Sequence, residues 1–342
     1  MSPSAQQLPE QVSAEREQGL KLYQAGDVEG AIKTLRIATR KFKEDGMAWH
    51  YLGLSLNRRG NIKDARKAFE KAVKLLPNFP PAHNALAYAL LSSNKADLAE
   101  NEAQKTLTLD AANPHGHYIL GAVQLRKGHC AEAKTHAEAA RVSTPEFALA
   151  YLLKSQATIC EIAESSFKPF DFHGTIFRTA APAQEVSDED RRTKAKRTAS
   201  RFRDAAETLE KFLQLEPNTT DAAMWKDQLE SLRVYAEPAD KTESERSTFV
   251  SYELTTKAHI LAKPEPVYTE LARSQQITGT VILRAVLAAD GTVKHLLILS
   301  SLPAGLTQQA LSAAKKIKFI PASKDGRPVS TYVQLEYNFN LY

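Results

Sequence analysis

Along residues 12–147, apolar positions recur at helical spacing, and the recurrence itself repeats. Trp49, Leu52, Gly53 and Leu56 lead to the turn pair Gly60-Asn61, followed by Ala65, Phe69, Ala72 and Pro77. Shifting back by 34 residues gives Gly19, Leu22, Gly26-Asp27, Ala31, Leu35 and Ala38. Shifting forward gives Leu86-Ala87, Leu90, Ala99 and Ala103, then Leu120-Gly121, Gly128, Ala133, Ala140 and Pro145. Four helical hairpins are therefore expected, beginning near Val12, Gly46, Pro80 and Pro114. Gly53 and Ala65 mark where two helices cross, Leu52, Leu56 and Phe69 fill the space between them, and Gly60-Asn61 reverses the chain. Each hairpin has an apolar face it cannot bury alone, so the hairpins must stack.

These residues resemble the tetratricopeptide repeat over residues 12–147, with no slip in register. Residues 1–11 read as a disordered N-terminal segment, and residues 148–235 as an interrupted fifth repeat with a capping helix. Its first helix is expected near 147–164, whereas Ala205, Leu209, Phe212 and Pro217 of the second arrive about 38 residues late. The insertion, residues 164–187, carries Phe167, Phe170, Phe172 and Phe177. Either it folds over the array or it is a partner-binding patch, because four phenylalanines are costly to leave in water. Ser187 followed by Asp188, Glu189 and Asp190 reads as a helix start. The basic run 191–203 then lies in a lengthened helix, and residues 220–235 form the cap. Residues 236–255 are charged and lack an apolar period, as a linker does.

From residue 256 the period changes to alternation. Ile277 to Leu287 is β-branched and strand-like, Asp290-Gly291 supplies a tight turn, and Val293 to Ser300 returns as a second strand. Leu306 to Ile317 has helical spacing, and Thr331 to Leu341 alternates as a third strand. A small α+β domain is expected over 256–342: a three-stranded antiparallel sheet with one face covered by helix. Lys263-Pro264-Glu265-Pro266-Val267-Tyr268, Gly279-Thr280-Val281, Asp290-Gly291, Lys318-Phe319-Ile320-Pro321-Ala322 and Gly326-Arg327-Pro328-Val329 resemble the TonB C-terminal domain family in order. Thr269 departs from it, standing where the family usually has proline. The fold class is thus multidomain: an all-α solenoid followed by this α+β domain.

Composition narrows the function. Charged residues make up 25% of the chain and the formal net charge is +5, without a long basic face, so nucleic acid is not an expected partner. No apolar run approaches the length of a membrane span. The start, Met1 to Gln7, lacks a secretory apolar region, so either the protein is cytoplasmic or the numbering begins at a trimmed mature form. An energy-coupling TonB needs a membrane helix and a proline-rich spacer. The sequence as given shows neither, which favours a soluble adaptor.

The candidate partner-binding groove is lined by Arg16, Leu20, Tyr23, His50, Leu54, Asn57, Asn84, Tyr88, Leu91, His115, Tyr118 and Ala122. These residues either grip a peptide or form solvated groove walls. The TonB resemblance implies a second site, in which an extended segment adds to the edge strand Val333, Gln334, Leu335, Glu336, Tyr337, Asn338 and Phe339, with the stretch before Tyr268 alongside. Tyr268, Phe319 and Pro321 read equally as core and turn residues. Cys130 and Cys160 fall at helix ends that meet, so they are either a disulfide or two buried thiols. His115 and His117 diverge on a helix, and His129 and His136 have no companion ligands at metal spacing. No metal, cofactor or catalytic set is expected. The expected function is a non-enzymatic scaffold of the bacterial envelope, periplasmic (alternatively cytoplasmic), binding proteins or peptides. An outer-membrane or envelope protein is one candidate partner, and a homodimer through the C-terminal domain is another possibility. A TonB-type energy transducer is the alternative.

Overall fold

The computed structural model describes residues 13–166, 188–237, 248–250 and 253–341. The expected disorder of residues 1–11, the phenylalanine loop, Ser187 and residues 238–247 of the linker lie outside these. The chain divides into two compact units, residues 1–123 with 142–145 and residues 124–141 with 146–342.

In the first unit, α1 (Ala14–Gln24) pairs with α2 (Val28–Lys41), α3 (Gly46–Arg58) with α4 (Ile62–Leu75), and α5 (Pro80–Ser92) with α6 (Ala96–Leu109). Helix α7 (Pro114–Arg126) follows, in the unit through Val123. Leu35, Leu52, Leu56, Phe69, Leu86 and Leu90 share one continuous core. Gly53 lets α3 meet α4, because a Cβ there would stand 2.4 Å from the Phe69 ring. The interhelix turns need left-handed backbone. Gly26, Gly60 and Asn94, spaced by the repeat length, have φ of 85°, 88° and 56°, and asparagine is among the few side chains that accept this region. Asp27 and Asn61 then cap α2 and α4 by accepting from the Gly30 and Asp64 amides.

The second unit begins with α8 (Cys130–Ser143), α9 (Ala148–Ser166), α10 (Asp188–Leu215) and α11 (Ala222–Tyr235). Helices α9 and α10 pack along each other, and the Ser155 hydroxyl donates to the Ala205 carbonyl at 2.8 Å. The strands follow: β1 (Thr248–Phe249), β2 (His259–Ala262), β3 (Gly279–Leu287), β4 (Val293–Ser300), β5 (Lys318–Ile320), β6 (Ala322–Lys324) and β7 (Arg327–Phe339). Two helices lie among them, α12 (Glu270–Ser274) and α13 (Leu306–Ala314).

The three-stranded antiparallel expectation is corrected here. Among the described residues, five strands form one mixed sheet in the order β1-β7-β3-β4, with β6 also on β7 and β1 parallel to it, while β2 and β5 pair separately. The missed strands are two to four residues long, too short to show a period. Strand β1 also draws part of the stretch read as linker into the sheet.

The expectation of one covered face changes as well. One set of alternate side chains, including Val281, Leu283, Leu335, Tyr337 and Phe339, packs with α13 around Leu306 and Ala310. The other set, Ile282, Val286, Leu297, Leu299 and Tyr332, packs with Phe202, Leu209, Leu232 and Tyr235 of the preceding helices. Both faces are buried. Thr269 fits its place as the cap of α12: its hydroxyl accepts from the Ala272 amide and donates to the Ala304 carbonyl.

Candidate functional site

The structure separates the expected groove residues into two groups. Arg16, His50 and Asn84 hold a repeating junction. Arg16 pairs with Asp45 at 3.0 Å, His50 meets the Phe79 ring edge-on at 5.5 Å, and Asn84 donates to Asn113 Oδ1 at 2.9 Å. Each partner lies 29 residues on, at the start of the next repeat's first helix. His50 and Asn84 are therefore buried rather than presented to a ligand. His50 lies among Tyr51, Phe69 and Phe79, and burial lowers its pKa to about 4.

The second group is aromatic. Tyr88 stacks on Tyr118 at 5.7 Å and meets His115 edge-on at 6.0 Å, with its hydroxyl 3.3 Å from His115 Nδ1. Burial raises the Tyr88 pKa, helped by Tyr118, and lowers that of His115. Tyr23 lies 6.4 Å from Tyr51, with the Arg58 guanidinium 5.7 Å above its ring. Tyr51 and Arg58 were missed by the spacing, which follows helix faces and not side-chain reach. Asn57 is exposed, Leu20, Leu54 and Ala122 are half-buried, and Leu91 belongs to the core.

The expected edge strand is β7, and its two sides differ. Gly279 to Leu287 of β3 pair with Thr331 to Phe339 without a break. The β3–β4 hairpin closes with the Ala288 amide donating to Thr292 O, so Ala288 faces β4. By alternation, Val281, Leu283 and Ala285 then direct their backbone to Tyr337, Leu335 and Val333. Gln334, Glu336 and Asn338 direct theirs away from β3. The other side of β7 pairs with β1 at Ser330 and Thr331, and beyond that no strand covers it among the described residues. The Glu336 carbonyl accepts from Lys263 at 2.5 Å, and Lys263 Nζ also sits 4.6 Å above the Tyr337 ring. Burial, with Glu265 nearby, pushes the Tyr337 hydroxyl up to about 12. Tyr268 lies edge-on to Phe339 at 5.8 Å and donates to the Ile277 carbonyl, anchoring the segment that carries Lys263.

The opposite sheet edge is closed. Gln228 of α11 donates to Leu296 O and accepts from the Ile298 amide, both at 2.8 Å. The Tyr235 hydroxyl donates to His295 O at 2.8 Å. Between the same helix and the sheet face, the Arg284 guanidinium stands 4.7 Å from the Tyr235 and Tyr332 rings and 5.8 Å from Phe202. Such a cage offsets part of the cost of burying the cation.

Cys130 and Cys160 are joined in a disulfide with Cα atoms 5.6 Å apart. With Glu164 they form the one group of potential cation ligands found among the described residues, and the two sulfurs are bonded to each other. No helix among the described residues is long and apolar enough to cross a membrane.

Residues 264–341 match the Gram-negative bacterial TonB protein C-terminal family, and residues 16–83 and 53–117 match the tetratricopeptide repeat family. Protein TonB of Vibrio cholerae serotype O1 is 38% identical over 85 residues, which are 25% of this chain and 35% of that protein. The chain therefore spans about a third of the length of that curated relative. Among solved structures, the chain is similar to a thermophilic tetratricopeptide protein of Thermus thermophilus, at 14% identity and TM-score 0.44, covering 66% of this chain and 100% of that one. MamA of Desulfovibrio magneticus RS-1 gives 18% identity and TM-score 0.41 over 60% of this chain and 95% of that one. YrrB, a tetratricopeptide protein with an unusual peptide-binding site, gives 16% and 0.41 over 64% and 92%. With its helical hairpins and its α+β sheet both in place, this chain carries tetratricopeptide repeats and ends in a TonB-type C-terminal domain.

Proposed function

We propose that this chain is a non-enzymatic scaffold of the bacterial cell envelope, with its repeats binding one protein and its TonB-type domain capturing an extended peptide or strand. Proteins of both families bind protein or peptide partners. One observation carries the finer reading: the sheet has one edge sealed by Gln228 and Tyr235, and a stretch of β7 around Glu336 with no strand on it among the described residues. Exposed edges invite strand pairing, and backbone hydrogen bonds supply the affinity in such complexes. The periplasm is the proposed compartment, since the disulfide favours an oxidising one. The aromatic set Tyr23, Tyr51, Tyr88 and Tyr118 is the proposed contact surface of the repeats.

The test is a display selection of unstructured peptides on the immobilised full chain, repeated with Glu336→Pro. Proline removes an N–H that faces the open edge and leaves the β3 ladder intact. Selected peptides should lose about fivefold in affinity, the value of one backbone hydrogen bond, with an unchanged circular dichroism spectrum. Equal binding by the variant contradicts the reading. Pairing of β7 with a second copy is the homodimer form of the same chemistry, and sedimentation equilibrium distinguishes it.

A second reading, energy transduction to outer-membrane transport, is favoured by the identity with the Vibrio cholerae protein. Restored outer-membrane transport in cells lacking their own TonB would support it.

A further inference from the structure

The two-stranded sheet β2–β5 has an unusual outer surface. Ile260 and Phe319 lie opposite each other and face the core. Their neighbours, His259, Leu261, Lys318 and Ile320, are exposed. Leu261 is 61% and Ile320 55% exposed, although ordinary patterning would place polar side chains there.

The sequence flanking both strands is rich in lysine. Residues 254–264 contain no acid, and neither does the chain between Asp290 and Asp325. The same stretches hold Lys257, Lys263, Lys294, Lys315, Lys316, Lys318 and Lys324. Some of these have partners in the fold: Lys315 lies 3.6 Å from Asp227, and Lys263 binds the Glu336 carbonyl. Lys316 and Lys318 are exposed beside the ribbon.

From this juxtaposition we infer that the outer face of β2–β5 docks on an anionic lipid surface, with Leu261 and Ile320 entering the headgroup boundary and the lysines facing lipid phosphates. Apolar side chains ringed by cations bind such surfaces through the two effects together. A nucleic acid or other soluble polyanion would use the lysines and gain nothing from exposed aliphatic side chains, so the leucine and isoleucine decide the class. The proposal goes beyond peptide capture: it uses side chains of β2 and β5, whereas capture uses the backbone of β7.

The test is co-sedimentation of the full chain with phosphatidylcholine vesicles, with and without about a third phosphatidylglycerol. The chain should partition onto the anionic vesicles and not onto the neutral ones, and high salt should release it. Lys316→Glu with Lys318→Glu should weaken partitioning by about 25-fold or more, at roughly fivefold per lysine near such a surface. Leu261→Gln with Ile320→Gln should weaken it by about tenfold or more. All four positions are exposed, so thermal unfolding should be unchanged, and Leu261→Ala with Ile320→Ala gives the same readout with smaller side chains. Equal sedimentation with both vesicle types overturns the inference. So does binding to heparin and anionic vesicles alike that ignores the aliphatic substitutions, which would make the face a general polyanion site.

Discussion

Gln228 closes the β4 edge on Leu296: its amide nitrogen donates to the Leu296 carbonyl while its amide oxygen accepts from the Ile298 amide, so one side chain stands in for a neighbouring strand. A neutral amide carries a donor and an acceptor on separate atoms, so it can serve both backbone groups at once. Gln228→Ala should leave the half-buried Ile298 amide without this partner and the Leu296 carbonyl with only the longer Ser231 hydroxyl contact of 3.4 Å, at a cost of about 1–3 kcal/mol. Urea unfolding of the full chain measures the loss. Gln228→Glu should cost at least as much, because a carboxylate would face the Leu296 carbonyl. Neither variant should alter pairing between β3 and β7.

His50 should make the repeats acid-sensitive. Burial lowers its pKa from 6.5 to about 4, so the folded state resists the proton that the unfolded chain accepts readily. The stabilisation is complete above about pH 6.5 and is lost as the pH falls toward 4, amounting to roughly 3 kcal/mol. His50→Phe, placed among Tyr51, Phe69 and Phe79, should flatten that acid limb. Thermal unfolding at neutral pH and at about pH 4.5 compares the two proteins, and an equal loss in both would refute the role given to His50.

The Cys130–Cys160 bridge closes a loop spanning 30 residues. Its reduction should cost about 3–4 kcal/mol by loop-closure entropy. Unfolding with and without reductant measures this, and a thiol titration of the unreduced, denatured protein should find none. Two titrated thiols would remove both the bridge and its support for an oxidising compartment.

What was legible in the chain depended on length and repetition. The helical hairpins showed because Gly53, Phe69 and their counterparts recur at a fixed interval, and because the turn positions Gly26, Gly60 and Gly128 take left-handed backbone that glycine accepts readily. Strands β3, β4 and β7 are long enough to alternate, whereas β1 and β5, at two and three residues, are defined only by partners far away in sequence. The roles of Arg16, His50 and Asn84 were hidden, since a helix-face argument cannot see a partner 29 residues on. Arg284 was hidden for a related reason: its aromatic cage comes from α10, α11 and β7 at once. Alternation located the final strand, but only its register on β3 tells which backbone groups face outward.

That register makes the central claim measurable amide by amide. In the free protein, the amides of Val333, Leu335, Tyr337 and Phe339 should exchange slowly, held by β3, while those of Gln334, Glu336 and Asn338 exchange fast. On adding a selected peptide, the fast set should become protected and the slow set should change little. Uniform protection before any peptide is added, or a fast set that stays fast in the bound form, would contradict strand capture at β7.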